Sequence, residues 1–430
     1  MNMITKITDF SGDNGLAAPA RLASEGSRTL RAGFIPLVDA SVLIAASEFG
    51  FAQKEGIVLD LVKDVSWANV RDRLAFRQFD IAHMLSPMPV ASMLGLGSNP
   101  SPANTAFSLG RGGNAITLSI QLYARMGQEA SLNETASALE HAHALAKVIR
   151  AMKARSEPLP TLGVTYPFSS HNYEFRYWLA AGGIDPDHDV KLVVVPPPMT
   201  SDALAAGAID GFCVGAPWNM VASERGVGRI VAAKHDIWPS APEKVIGMRP
   251  EWVESNPETV SRLIVALDAA AHWCDQPDNH AALSEALGNS RYIAAPVDTI
   301  RRVLAGEFNL DDQGNRRIID GYFQFHANFA NYPRPSQALW IYTQMIRWGQ
   351  AGLSSKGLTA AATAYRPDLY RLALGANAAP LLDDDLRVEG ASDGDRFVDG
   401  HVFDPTRIAD YLAKFPVKSS AIGNSSGEDI

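Results

Sequence analysis

The sequence predicts an α/β fold of two lobes with a ligand cleft between them. Three observations lead there. Short apolar strands alternate with segments of helical periodicity, the pattern of βαβ units on a largely parallel sheet. The alternation runs once up to about residue 114 and again over residues 115–240. The chain, at 430 residues, is too long for one ordinary core.

Each element has its own warrant. Residues 1–28 carry Gly, Ser, Asn and Asp without apolar periodicity and read as a disordered tail. Residues 29–35, 58–62 and 79–85 are short apolar strands, the last closed by the Ser86-Pro87 turn. Between them, 40–54 and 67–76 have helical spacing. In the second half, 115–122 is expected to be a strand. Ser131 with Glu134 three positions on has the form of a capping box, and Leu132, Leu139, Ala142, Ile149 and Met152 follow on one helical face. Residues 161–165 read as a strand and 173–181 as a helix stopped by Gly182-Gly183. Residues 191–195 form a strand ending in Pro196-Pro197-Pro198, and 211–215 form another, with a helix near Pro217. Beyond about residue 244 the chain reads as mostly helical. Asn256 and Pro257 make a cap and first helical position, and Val260, Leu263, Ile264, Leu267 and Ala271 form a buried stripe. The aromatic-rich stretch 318–350 is expected to pack helices on the first lobe, and 416–430 reads as a second disordered tail. Lobe I is therefore assigned to 29–114 and 245–415, and lobe II to 115–244. Clefts facing the carboxyl ends of strands are where α/β folds take ligands.

Composition narrows the function. Thirty-eight Lys and Arg against 47 Asp and Glu leave a net charge of −9, which argues against direct nucleic-acid binding on a broad basic face. Two cysteines, Cys213 and Cys274, exclude a disulfide framework and a Cys-rich zinc site, though they could form one bond. No apolar run is long enough to span a membrane. Near the N-terminus, Lys6 is followed by Asp9 and Asp13 and not by an apolar stretch, so a cytoplasmic location is expected.

Most catalytic signatures are missing. Gly110-Arg111-Gly112-Gly113 lacks the spacing of a dinucleotide loop, and no zinc-protease, C-x-x-C or G-x-S-x-G motif occurs. His141 and His143 are two apart on a predicted helix and face different directions. Cys213, inside a strand, reads as a small buried hydrophobe and not as a nucleophile. No cofactor, no metal and no catalysis are expected. What remains is a set of hydrogen-bond donors at strand ends: Trp67, Asn114, His171 and Lys244. Taken singly each has an ordinary structural reading: a core Trp, a helix-capping His, a solvated Lys.

Taken in order, the segments around these residues resemble one family. They include Phe34-Ile35-Pro36-Leu37-Val38-Asp39-Ala40, Val65-Ser66-Trp67, Ala82-His83-Met84-Leu85-Ser86-Pro87-Met88-Pro89 and Arg176-Tyr177-Trp178-Leu179-Ala180-Ala181-Gly182-Gly183. Further on come Val193-Val194-Val195-Pro196-Pro197-Pro198, Phe212-Cys213-Val214-Gly215-Ala216-Pro217-Trp218-Asn219, Pro242-Glu243-Lys244 and Met345-Ile346-Arg347-Trp348-Gly349-Gln350. Over residues 29–415 the chain resembles the nitrate- and bicarbonate-binding proteins of ABC transporters, the NrtA/CmpA family. The resemblance implies a two-lobed periplasmic-binding-protein-like fold of the type II, C-clamp kind, with an oxyanion in the cleft. It places Trp67, Asn114, His171, Pro197, Val214, Gly215 and Lys244 around that ligand. Asn114 stands where the family usually has Gln, and Ala216 where it commonly has an acidic residue. Lys244, where the bicarbonate branch has an acidic residue with calcium, favours nitrate or nitrite without metal.

Physical chemistry fits that assignment. Nitrate has three acceptor oxygens and no donor, so its site should offer donors and one positive charge, away from carboxylates. Without a recognisable export signal, the chain is most similar to the cytoplasmic NasS-type nitrate/nitrite sensors. That resemblance implies a protein partner, an ANTAR-type RNA-binding antiterminator (NasT-type), held inactive and released on ligand binding. The alternative is the periplasmic nitrate-binding component of an ABC transporter.

Overall fold

The fourteen strands described below belong to a computed structural model that describes residues 27–97, 101–133, 135–381, 384–416 and 418. In chain order they begin with β1 (Arg28–Phe34), β2 (Ile57–Lys63), β3 (Ile81–Leu85) and β4 (Asn104–Ser108). Then come β5 (Arg111–Gly112), β6 (Asn114–Ser119), β7 (Thr161–Val164), β8 (Lys191–Val194), β9 (Gly211–Gly215) and β10 (Gly228–Ala233). The last are β11 (Lys244–Met248), β12 (Glu307–Asn309), β13 (Arg316–Ile318) and β14 (Phe323–Gln324). Ten of them build two five-stranded sheets, one per lobe, ordered β2-β1-β3-β11-β4 and β10-β6-β9-β7-β8.

The parallel parts come from the βαβ units read in the sequence. β1 lies parallel to β2 and β3, and β7 lies parallel to β8 and β9. Each sheet also takes an antiparallel strand from the crossing chain. β6 runs against β9 and β10, and β11 inserts between β3 and β4, pairing Lys244 with Leu85. β1 buries Leu30, Ala32 and Phe34 while Thr29 and Arg31 face out, as a half-covered strand should.

Two expectations need correction. The strand expected over 115–122 stops at Ser119, whose Oγ accepts from the Leu122 amide and caps a helix Ile120–Ala130. Ser131 does not start the next helix. It ends this one, in the left-handed conformation at φ 53°, and Glu134 lies outside the described residues. The capping box belongs to Ser137 and Glu140, which open Ala138–Ala154 and leave Ala142, Ile149 and Met152 buried. Asn256 holds the cap position and Pro257 the start of the helix Pro257–Cys274 as expected, although the Asn256 side chain donates to the Trp252 carbonyl at 2.6 Å. The expected stripe on that helix is buried throughout.

The aromatic-rich stretch does more than cover the first lobe. Its helix Pro335–Arg347 is buried along its whole length and packs on Pro87–Met93 and Ser355–Thr363. Trp340 also reaches Trp238 (4.8 Å between ring centroids) and Tyr177 (6.1 Å), both on the second lobe's side, and Trp238 stacks on Phe397 at 4.6 Å. Aromatic rings bury the most area per residue, so this cluster ties the lobes together. Cys213 and Cys274 are buried and free. Among the described residues no helix is long and apolar enough to cross a membrane. The tails expected over 1–28 and 416–430 lie outside the described residues apart from Ser27, Arg28, Pro416 and Lys418, and Arg28 already opens β1.

The first crossing between the lobes runs through Gly110, Gly112 and Gly113, all with positive φ. Here β5 pairs with β14, which straps the C-terminal half across the hinge. A Cβ at Gly112 would sit 1.6 Å from the Tyr322 carbonyl oxygen, on a backbone with φ +85°. Gly112→Ala is expected to lower stability by at least about 2 kcal/mol in urea denaturation, the scale of a backbone clash added to φ strain.

Candidate functional site

The carboxyl ends of strands from both lobes converge on one buried polar cluster. Asp39 comes from the short turn Val38–Ala40 after β1, and Trp67 opens the helix Trp67–Ala75 shortly after β2. Ser66 fixes that helix start by accepting from the Asn69 amide at 3.2 Å. His83 lies within β3. From the second lobe come Asn114 at the start of β6, Gly215 at the end of β9, and His171 and Glu174 on the helix Ser170–Ala181 after β7. Ser169 caps that helix by accepting from the Asn172 amide at 3.0 Å. Lys234 starts a short helix after β10, and Glu243 and Lys244 lead into β11.

Charges alternate through the cluster. Lys244 Nζ lies 2.6 Å from Asp39 Oδ2 and also pairs with Glu243 Oε1. Glu243 Oε2 takes Lys234 Nζ at 2.5 Å, and Lys234 in turn lies 3.0 Å from Glu174 Oε1. Asn114 Nδ2 donates to Glu174 Oε2 at 3.0 Å and to Glu243 Oε2, while Ser170 Oγ donates to Glu243 Oε1 at 2.9 Å. His83 Nε2 sits 3.1 Å from Asp39 Oδ1. Every one of these residues is almost fully buried.

Burial and pairing set the protonation states. Burial would raise the Asp39 carboxyl, but Lys244 and His83 outweigh it and hold it below its ordinary value. Glu243 also stays below the carboxylate range, because two lysines overcome its burial. Lys244 is held above its usual value by Asp39 and Glu243 against desolvation. Burial, with Lys244 adding to it, pushes the His171 imidazole down to about 3, so it is neutral. Glu174 goes the other way: burial, opposed by Lys234, lifts it to about 7.

The sequence-derived residues divide here. Trp67, Asn114, His171, Gly215 and Lys244 come together. The Trp67 ring centroid is 5.7 Å from Lys244 Nζ, and its ring stands edge-on to His83 at 5.2 Å. A Cβ on Gly215 would lie 3.0 Å from Asp39 Oδ2 and 3.5 Å from Asn114 Oδ1, so glycine is what lets the lobes meet there. Val214 does not join them. Its side chain packs into the small apolar cluster with Leu204, Ile209, Phe212 and Ala222, and its carbonyl accepts from Asn219. Pro197 opens a turn after β8 whose carbonyl accepts from Thr200, and it takes no part in the hydrogen bonds or ion pairs of the cluster.

Two chemical expectations are corrected. Lys244 is not a lone positive charge, since carboxylates on two sides already hold it, and a second lysine stands behind Glu243. Asn114 does not present a free amide donor, since Glu174 and Glu243 both receive it. Leaving aside the ion-paired atoms of Asp39, His83 and Glu174, three polar atoms of the cluster have no hydrogen-bond partner among the described residues: Trp67 Nε1, Asn114 Oδ1 and His171 Nε2, the last 3.7 Å from Glu243 Oε1. Two of these three are potential donors to an oxyanion, given that His171 Nδ1 is 3.0 Å from Thr165 Oγ1. Sequence reasoning missed Asp39, His83, Glu174, Lys234 and Glu243. The only signal for them was adjacency, with Asp39, His83 and Glu243 inside segments already singled out.

Comparison with known proteins places the chain. A profile of the NMT1-like family matches residues 23–288. The chain belongs to this NMT1-like, NrtA-type family. The nitrate/nitrite binding protein NrtA of Nostoc sp. is 32% identical over 393 residues, covering 90% of this chain and 85% of NrtA. The nitrate import ATP-binding protein NrtC of Synechocystis sp. is 34% identical over 420 residues, and there the chain spans 96% of its own length but 58% of NrtC. Among solved structures, the periplasmic nitrate-binding protein NrtA from Synechocystis superposes with a TM-score of 0.78 at 29% identity, covering 91% of this chain and 99% of NrtA. The alkanesulfonate-binding protein SsuA from Xanthomonas axonopodis, at 14% identity and a TM-score of 0.52 over 78% of this chain and 97% of SsuA, shares the fold alone. The fold is thus the two-lobed periplasmic-binding-protein-like one expected of the family.

Family membership does not by itself explain why the cluster tolerates five buried charges. Lys234 is the answer, because it is the one cation shared by Glu174 and Glu243. Lys234→Met keeps the volume and removes the charge, leaving two buried carboxylates short of a partner. It is expected to cost about 3–5 kcal/mol in a chemical-denaturation midpoint experiment, the usual penalty for breaking one side of a buried ion pair.

Proposed function

We propose that the chain binds nitrate or nitrite in this cluster. The observation that carries the reading is a pair of buried ring nitrogens without a hydrogen-bond partner among the described residues, Trp67 Nε1, whose ring lies 5.7 Å from Lys244 Nζ, and His171 Nε2, 3.7 Å from the Glu243 carboxylate that pairs with Lys244. A planar oxyanion offers only acceptors, so it completes both groups and draws on the Lys244 ammonium. Asp39 and Glu243 compete with it for Lys244, which sets the site against doubly charged anions. The names of the NrtA relatives support the same ligand class.

The biological role follows the resemblance to NasS-type sensors. In this reading the protein works in the cytoplasm, holds an ANTAR-type RNA-binding antiterminator inactive, and releases it when the anion binds. Linkage requires only that the anion-bound form fit the partner less well than the unbound form. The acidic net charge of −9 suits a partner with a basic RNA-binding face. A second reading, a periplasmic anion-binding component of an ABC importer, is favoured by the similarity to the nitrate import protein NrtC and the periplasmic nitrate-binding protein NrtA.

Calorimetric titration with nitrate, nitrite, bicarbonate and chloride tests the ligand. One saturable site for nitrate or nitrite is expected, unaffected by chelator. Trp67→Phe and His171→Ala should each weaken it by about 1.5–3 kcal/mol, the range for a neutral N–H donating to a charged acceptor. Unchanged affinity in both variants would remove the site assignment. For the role, nitrate-dependent dissociation of a purified antiterminator of this type is the expected result. A complex indifferent to nitrate, or no complex, would return the protein to the import reading.

A further inference from the structure

The cluster holds one carboxylate more than it holds lysines. Asp39, Glu174 and Glu243 face Lys234 and Lys244. The surrounding titratable groups add no compensating charge. His83 and His171 are kept neutral by burial. The Cys213 thiol on β9 and the Tyr322 hydroxyl are pushed well up by burial and stay protonated. Arg111 borders the cleft at the hinge, but its guanidinium is turned to Ser240 and to the carbonyls of Asn328 and Phe329. With all three carboxylates ionised the cluster carries −1, and a bound monoanion would take it to −2. Two uncompensated charges in a buried site are costly, and the protein relieves such a cost by protonating a group.

Geometry selects the group. Asp39 and Glu243 both touch Lys244 directly. Glu174 does not; its partners are Asn114 and Lys234, and it shares Lys234 with Glu243. On the reading that the cluster binds a nitrate-class anion, we propose that Glu174 is a positioning residue that takes up one proton as the anion binds. The anion and the proton enter together, and the cluster returns to −1. The proton also redistributes the ion pairs. Once Glu174 is neutral, Lys234 is drawn to Glu243 alone, and Glu243 loosens its hold on Lys244, whose ammonium turns to the anion. Glu174 is suited to this because burial already lifts its carboxyl to about 7.

Binding that takes up a proton weakens as pH rises. The test is isothermal titration of the full chain with sodium nitrate from pH 6 to 9, in buffers of differing ionisation enthalpy. Near one proton taken up per nitrate is expected above neutral pH, with affinity falling about tenfold per pH unit there and levelling below about pH 6.5. Glu174→Gln is isosteric and permanently neutral. It should bind nitrate with little proton uptake and a flat pH profile. An infrared difference spectrum of the unmodified protein supplies a second readout, in which nitrate should add a protonated-carboxyl C=O band. Nitrate binding without proton uptake, a Glu174→Gln profile as steep as the original, or no gained band would overturn the role of Glu174 and leave nitrate binding standing. No nitrate binding at any pH would overturn the underlying ligand reading and this inference with it.

Discussion

Everything around the cleft depends on Glu243, the carboxylate that two lysines share. Its Oε1 pairs with Lys244 and its Oε2 with Lys234, and through them it reaches Asp39 in the first lobe and Glu174 in the second. Buried charges of this kind are costly to desolvate, and their mutual attraction repays that cost only when each remaining lone pair is used. Asn114 and Ser170 supply the extra donors to Glu243. The arrangement adds little stability over an apolar core of the same volume. What it does add is a requirement on geometry, because the two lobes can close only where these charges meet in alternation.

Several local features accord with that requirement. Gly215 has no side chain where a Cβ would press on Asp39 Oδ2, and the hinge glycines Gly110, Gly112 and Gly113 let the chain turn beside the cluster. Ser66 and Ser169 each cap a helix immediately before a site residue, so the first turns that carry Trp67 and His171 are held at their ends. The aromatic contacts of Trp238, Trp340, Tyr177 and Phe397 close the lobes from the far side. Polar alternation on one face and ring packing on the other fix the same lobe arrangement by different means.

Much of this was legible in the residues, and what was not has a physical reason. Short apolar runs located seven of the ten strands of the two sheets, because a buried strand is a local apolar run, while β4, β10 and β11 were missed. Two Ser-x-x-Glu pairs six residues apart, at Ser131 and Ser137, could not be told apart locally. Both satisfy the capping pattern, and only the left-handed turn at Ser131 separates the two helices. Trp67, His171, Gly215 and Lys244 were singled out because ordered segments around them match a family pattern. Glu174 was invisible for a different reason. A Glu in a helix reads as solvated, and nothing nearby reveals that its partners are 60 residues away in both directions, at Asn114 and Lys234. Val214 misled through its neighbour. It alternates with Cys213, so when one strand face points to the site the other enters the satellite core.

On the proposed reading, the anion site and the lobe contact use the same atoms. Lys244 cannot be drawn to an anion without weakening its pairs to Asp39 and Glu243, and those pairs link the first lobe to residues that contact the second. Occupancy and lobe geometry are therefore coupled through one ammonium group, without any separate relay. A coupling of about 1–3 kcal/mol is typical of such linked equilibria and suffices to change a partner's affinity by about 5–150-fold. An importer and a regulatory partner would read the same change, because each senses how the lobes sit relative to each other. On the proposed reading, transport and sensing need no difference in the anion site. They need a different surface outside it, on the fold that the chain shares with NrtA.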